Sequence, residues 1–164
     1  MTNGLKQFDE SKDLDEDSYE TPKMLVQRMA ANYGFNFELD AAATKQNKIC
    51  EFFLDDALHQ EWVIGSLHVD VWCNPPHSLT EEFMRRAHVQ HKKHNITICM
   101  IVPTNCQSAG FWQQLIENET LCMVENHPIA RRPRFLKNGR RTKHGSRNAY
   151  RVIIWRRKTL GLPV

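Results

Sequence analysis

The chain has 164 residues, 41% hydrophobic and 25% charged, with a net charge of +3. That is the balance of one globular domain long enough to fold without a disulfide or metal staple, and it excludes a disordered chain. No apolar run approaches the ~20 residues of a membrane span, and the five cysteines include no CxxC pair, which argues against a zinc ribbon or disulfide framework and for a reducing, intracellular setting.

Residues 1–17 are polar and acidic with no apolar signal-peptide core, and are expected to form a flexible tail. A single domain is expected over residues 18–158. Thr21 suits an N-cap and Pro22 the first helical position, ahead of a helix through Met24, Leu25, Met29 and Ala30 that Gly34 stops. Residues 35–39 alternate as a strand does and end in Asp40, and residues 41–57 read as loop with short helical pieces. A second strand over 67–72 closes in Cys73-Asn74-Pro75-Pro76-His77. Ser78 with Glu81 three residues later resembles a capping box for a helix over 80–94 that buries Phe83, Met84, Ala87 and His91. Residues 96–102 are nearly continuous apolar sequence, as in a buried parallel strand. A helix over 109–117, a short strand over 121–124 and a strong strand over 149–155 complete the chain. Strands alternating with helices predict an α/β fold with a largely parallel sheet flanked by helices.

Charge is unevenly placed. Residues 1–20 hold seven acids against two lysines, whereas residues 131–158 hold twelve bases and no acid. Such clustering points to a polyanionic partner, with nucleic acid the one expected, against the alternative of a solvated basic face.

Asn74-Pro75-Pro76-His77 sits beyond the carboxyl end of a predicted parallel strand and before a helix, where open α/β sheets place ligands. Two prolines fix two φ angles and remove two N–H donors. The Asn74 amide oxygen and the Pro75 carbonyl can then act together as acceptors for both protons of one planar amine, leaving its lone pair available for an in-line methyl transfer from a sulfonium. A rigid loop that merely ends a strand is the other reading of the motif taken alone.

Together, Asp17-Ser18-Tyr19-Glu20-Thr21-Pro22, Phe37-Glu38-Leu39-Asp40-Ala41-Ala42-Ala43, Asn47-Lys48, Asp55-Asp56-Ala57-Leu58, Trp62 and Cys73-Asn74-Pro75-Pro76-His77-Ser78 closely resemble the phage-type, Dam-like DNA N6-adenine methyltransferases, over about residues 17–156. The resemblance implies a Rossmann-like fold that binds S-adenosylmethionine and methylates a flipped adenine in duplex DNA. It implies that Tyr19, Thr21 and Pro22 lie near the methionine end of that cofactor, with Asp40, Ala41 and Ala43 as its first loop, Asn47 nearby, and Asp55 and Asp56 at the acidic position for its ribose or adenine. It makes Asn74, Pro75, Pro76 and His77 the catalytic tetrapeptide. The fourth position is normally aromatic in the family, most often Tyr. His77 keeps a planar ring for stacking on the flipped base, with less area and an added titratable group.

In the family the segment before the last strand carries an Arg and a Phe, matched here loosely by Arg132, Arg134 and Phe135. Within a DNA-contacting segment over 130–148, Arg140, Arg141 and Lys143 are expected to form a phosphate-gripping hairpin with help from Arg147. At this length readout comes from that hairpin or from a homodimer. His88, His91 and His94 fan round their helix, so no metal site is expected there. The compartment is wherever DNA is: the bacterial cytoplasm for a phage or prophage protein, the nucleus for a eukaryotic one. Rival readings are methylation of another planar amine (cytosine N4, an RNA base, a glutamine side chain) and a catalytically silent nucleic-acid-binding protein of the same fold.

Overall fold

Helix α1 (Lys23–Tyr33) buries Leu25, Val26 and Met29 and stops at Gly34, whose φ of 73° is the left-handed conformation that a Cβ disfavours. The N-cap position falls on Pro22, not Thr21, and no side chain caps the helix, since proline has no side-chain acceptor. The computed structural model describes residues 19–142 and 145–159, so the acidic tail expected over 1–17 lies outside the described residues.

The strands follow as β1 (Phe37–Asp40), β2 (Phe52–Phe53), β3 (Asp70–Cys73), β4 (Thr97–Pro103), β5 (Met123–Pro128), β6 (Leu136–Lys137), β7 (Arg140–Arg141) and β8 (Tyr150–Arg156). Six of them form one sheet in the order β2-β1-β3-β4-β8-β5, and β6 with β7 makes a separate hairpin. The pairs β1–β2, β1–β3 and β3–β4 are parallel, whereas β8 runs antiparallel to both β4 and β5. The fold is thus mixed α/β with a mainly parallel central sheet. All seven residues of β4 are buried, as its nearly continuous apolar sequence suits the centre of a sheet covered on both sides.

Alternation along the strands divides the core. Val71, Cys73, Ile98, Met100 and Val102 pack with Phe83, Met84 and Ala87 of α2 (Thr80–His94) and with Trp62, Trp112 and Leu115. Their neighbours Trp72, Cys99 and Ile101 pack on the opposite face with Leu25, Val26 and Met29 of α1 and with Phe135, Val152 and Ile154. Each large apolar side chain so buried contributes roughly 1.5–3 kcal/mol, enough to hold α1 and α2 on opposite faces.

Several local expectations are corrected. A 3-10 turn, His77–Leu79, precedes α2, Leu79 occupies the cap position, and no side chain caps the helix there, so Ser78 and Glu81 form no capping box. The helix expected over 109–117 is one short turn, α3 (Gly110–Trp112), running into a π-type turn, Gln113–Glu117. The strand β2 falls within the expected loop, and β5 is longer than expected. His91 is buried as expected, with Nδ1 2.8 Å from the Ile96 carbonyl.

Candidate active site

Because β1, β2, β3 and β4 run parallel, Asp40, Phe53, Cys73 and Pro103 end at one edge of the sheet. The loop after β1 is tied to that edge by Ala41 N–H to the Trp72 carbonyl at 2.9 Å and Leu54 N–H to the Asp40 carbonyl at 2.9 Å. Asp40 is 4% exposed. Its Oδ1 accepts from Ala42 N–H and its Oδ2 from Ile49 N–H, each at 3.2 Å. Burial pushes its carboxyl up from 3.8 to about 6, against the lowering effect of those two backbone hydrogen bonds. Among the described residues no Lys or Arg pairs with it. A buried carboxylate held only by amides retains acceptor capacity, and in this setting it favours a cation.

On the neighbouring strand, Asn74 follows Cys73 directly. Its Nδ2 donates to Thr21 Oγ1 at 2.9 Å. The carboxamide is therefore turned with Oδ1 away from Thr21, and among the described residues nothing donates to that oxygen. Cys73 is fully buried and its thiol is raised well above the usual range by burial, so it packs and does not react.

A narrow cleft brings Tyr19, Thr21, Asp40, Asn47, Trp72 and Asn74 together. With only about 20 Å³ of free volume it holds little more than a water. It adjoins a groove of about 420 Å³, lined among others by Thr21, Pro22, Asn47, Lys48 and Arg141, a volume of the size small-molecule sites require. The Asn47 Oδ1 shapes this mouth by accepting from Thr44 N–H at 2.6 Å. Ala41 and Ala43 are buried and line neither the cleft nor the groove, whereas Ala42 between them lines the cleft. Asp55 and Asp56 stand exposed just beyond β2 at the same sheet edge, Asp56 pairs with His59 at 2.7 Å, and neither lines the cleft or the groove.

Two participants escape the sequence. Trp72 lines the cleft; strand alternation alone assigns it to the core. Tyr150, at the start of β8, is 1% exposed and its hydroxyl lies 2.5 Å from His77 Nε2. The two rings are 5.6 Å apart at 40°. Seventy-three positions separate them in the chain, so only the antiparallel return of β8 beside β4 reveals the pair.

The bases sort by partner. Arg132, Arg134, Arg140, Arg141 and Arg147 are exposed, and Lys143 lies outside the described residues. Arg140 and Arg141 form β7, joined to β6 through Asn138 at φ 51° and Gly139 at φ 72°, the two left-handed positions of a tight hairpin turn. The hairpin is pinned to the start of the domain: Glu20 and Leu136 exchange N–H···O bonds of 2.8 and 2.9 Å, and Gly139 N–H donates to Glu20 Oε2 at 3.2 Å. Phe135 is buried, stacked on Tyr19 at 5.9 Å. By contrast Arg156 is held by Glu125 and Arg157 lies 3.9 Å from Asp70, so acids from other elements balance part of the basic segment.

The α2 histidines also diverge in role. His94 pairs with Glu61 at 2.5 Å, while His88 meets Glu119 at 3.1 Å with Cys122 close by. Glu119 also accepts the backbone N–H groups of Leu121 and Cys122, which makes it the organiser of the turn into β5.

A buried carboxylate and an oriented carboxamide stand side by side at the carboxyl ends of adjacent parallel strands of an α/β protein, the edge where open sheets of this kind place ligands. Its family is specific. The family model described as DNA N-6-adenine-methyltransferase (Dam) matches residues 9–161, and the chain belongs to that family. A DNA N-6-adenine-methyltransferase of Escherichia phage T1 is 33% identical to it over 97 residues, which cover 58% of this chain. The matched stretch spans 39% of the phage protein's length. Among the described residues no helix is long and apolar enough to cross a membrane.

Proposed function

We propose that the chain methylates the exocyclic N6 amine of adenine in duplex DNA, with S-adenosylmethionine as donor, on a Rossmann-like methyltransferase scaffold. The orientation of Asn74 carries this reading. With Nδ2 directed to Thr21 at 2.9 Å, Oδ1 is the acceptor left for an incoming amine. The Pro75 carbonyl would supply the second acceptor, as the Pro76 carbonyl is already taken by Leu79 N–H at 3.0 Å. The conjugated amine of adenine is a weak nucleophile because its lone pair is delocalised into the ring. Bonding both of its protons to Asn74 and Pro75 localises that pair on nitrogen, and holds the proton that must leave as the new N–C bond forms.

The residues present fit the donor. When bound, S-adenosylmethionine supplies an electrophilic methyl group on a sulfonium. Asp40, buried and without a cationic partner among the described residues, suits its ammonium; Tyr19, Thr21 and Asn47 line the same cleft, and the groove provides the volume. Pro22 lines the groove, Ala41 and Ala43 pack the loop after β1 beneath it, and Asp55 and Asp56 stand beyond β2 at the same sheet edge. His77 would stack on the base flipped into the site. The exposed Arg132, Arg134, Arg140, Arg141 and Arg147, with Lys143, would grip phosphates, a reading supported by Arg141 lining the groove.

The test is transfer of radiolabelled methyl from S-adenosylmethionine to duplex DNA, RNA and protein, followed by nucleoside analysis. N6-methyldeoxyadenosine is expected. Label in N4-methylcytosine, in RNA or on glutamine would replace the substrate, and DNA binding without transfer to any acceptor would leave a silent binding protein.

A further inference from the structure

We propose that His88, Glu119 and Cys122 form a binding site for one zinc ion, which clips the turn before β5 to the middle of α2. The inference stands apart from the methyltransferase reading, since none of the three residues lines the cleft or the groove. One ligand atom from each residue lies within 4.8 Å of the other two. His88 Nε2 is 3.1 Å from Glu119 Oε2, and two ligands each about 2.0–2.1 Å from a tetrahedral zinc stand about 3.3 Å apart. An imidazole, a carboxylate and a thiol together suit zinc, whereas magnesium and calcium take oxygen ligands. His88 comes from α2 and the other two from the turn before β5, so the spacing of the α2 histidines alone does not reveal the set.

The turn itself aims the carboxylate. Glu119 Oε1 accepts the backbone N–H groups of Leu121 and Cys122 at 2.5 and 3.2 Å, which leaves Oε2 turned to His88. Against the raising effect of burial, those N–H groups keep the Glu119 carboxyl below its ordinary range, so it is ionised. Burial holds the His88 imidazole below its ordinary 6.5, so it is neutral with a lone pair to give. Burial also raises the Cys122 thiol, and its proton passes to solvent as the sulfur–zinc bond forms. Thiolate and carboxylate then balance the two charges of the ion. Lys92 acts on all three groups, but it is exposed and screened by solvent. Cys122 is only half-buried, which leaves an entry path, and water completes the coordination. His88 Nδ1 is buried with no hydrogen-bond partner among the described residues. No second bond therefore ties the ring away from an ion, and none supports it either, which lowers affinity roughly 10- to 100-fold below that of a fully braced site. A dissociation constant of about a micromolar is expected.

The test uses the untagged full chain, stripped of metal with a chelator and then freed of the chelator. Calorimetric titration with Zn²⁺ should show one ion bound per chain. Co²⁺ should give the visible absorption of a tetrahedral site together with a thiolate-to-cobalt band. Zinc at ~100-fold its dissociation constant should raise the melting temperature by about 5–10 °C. Cys122→Ser should abolish the thiolate band and weaken zinc at least about 10-fold, whereas Cys106→Ser, at the other half-buried cysteine, should change neither. His88→Ala should weaken zinc likewise, and where that variant fails to fold, Cys122→Ser and the cobalt spectrum still decide. No saturable zinc binding up to about 100-fold the expected dissociation constant, a cobalt spectrum without the thiolate band, or zinc affinity unchanged in Cys122→Ser would each overturn the proposal. None of these readouts passes through methyl transfer, so failure of the catalytic reading leaves them intact.

Discussion

The Asn74 carboxamide donates to the Thr21 hydroxyl at 2.9 Å across 53 positions of sequence, so the loop after β3 is oriented by a residue that precedes α1. The bond leaves Oδ1 turned away from Thr21 and able to accept. Thr21→Val keeps the shape and removes the hydroxyl. It should lower kcat about 10-fold through a carboxamide free to flip, while Asn74→Ala should lower it by ~10²–10³, as loss of an oriented polar group at a reacting centre does. Methyl-transfer kinetics check both. Equal losses in the two variants would give Thr21 a role beyond orienting Asn74.

Asp40 predicts a pH dependence with a definite sign. Its folded value of about 6 lies above the ordinary 3.8, so the native state holds this proton more tightly than the unfolded chain does. The stability it contributes is full below about pH 4 and is lost as pH rises through about 6, a change on the order of 3 kcal/mol. Asp40→Asn should therefore flatten the stability curve and leave the ligand-free protein more resistant to urea at neutral pH. The ionised form suits an ammonium, so S-adenosylmethionine should bind more tightly as pH rises through about 6, with proton release below it. Calorimetry in buffers of differing ionisation enthalpy measures that release. A dissociation constant independent of pH between about 5 and 7.5 would remove Asp40 from the site.

The sequence made the strand ends legible and the partners across the fold illegible. Residues 96–102 announced β4 through their apolar run, and Asp40 and Asn74 stand at strand ends because parallel strands in alternation with helices must end on one edge. Thr21 is not the cap because α1 begins at Lys23 with Pro22 in the cap position, and the Thr21 hydroxyl instead meets Asn74, a partner that only tertiary structure supplies. The strand β2, only two residues long, carries too few residues to show a period. Tyr150 read as one more apolar residue of a strand, since its hydroxyl finds His77 only once β8 has returned antiparallel beside β4. The balance of Arg156 by Glu125 was hidden for the same reason.

The hairpin of β6 and β7 predicts a separable effect on DNA. Two residues a side cannot hold a hairpin alone, and this one relies on its turn and on Glu20. Gly139 sits at φ 72°, and nothing lies within 4 Å of the position a Cβ would take there. Gly139→Ala therefore meets no clash and costs only the backbone strain, about 1 kcal/mol. That is enough to loosen a marginal element. Duplex affinity should fall several-fold in a binding titration, with S-adenosylmethionine affinity and melting temperature close to wild type. An unchanged duplex affinity would take the hairpin off the DNA.

Salt dependence separates the bases that face DNA from those that hold the fold. Each phosphate neutralised contributes a slope of about −0.9 to log affinity against log salt. Arg140 and Arg141 are exposed on β7, so the double variant Arg140→Ala, Arg141→Ala should make the slope shallower by about 1.8 if each meets one phosphate. Arg156 is engaged by Glu125, donates to the Tyr33 carbonyl at 3.3 Å, and lies over the Phe35 ring at 4.9 Å. Its charge is balanced within the protein. Arg156→Ala should accordingly lower the melting temperature and leave the salt slope unchanged. Duplex titrations across a range of salt concentrations read both variants. A slope that falls equally in the two would mean that β7 and β8 share one DNA face, and a slope that falls in neither would move the phosphate contacts to Arg132, Arg134 and Arg147.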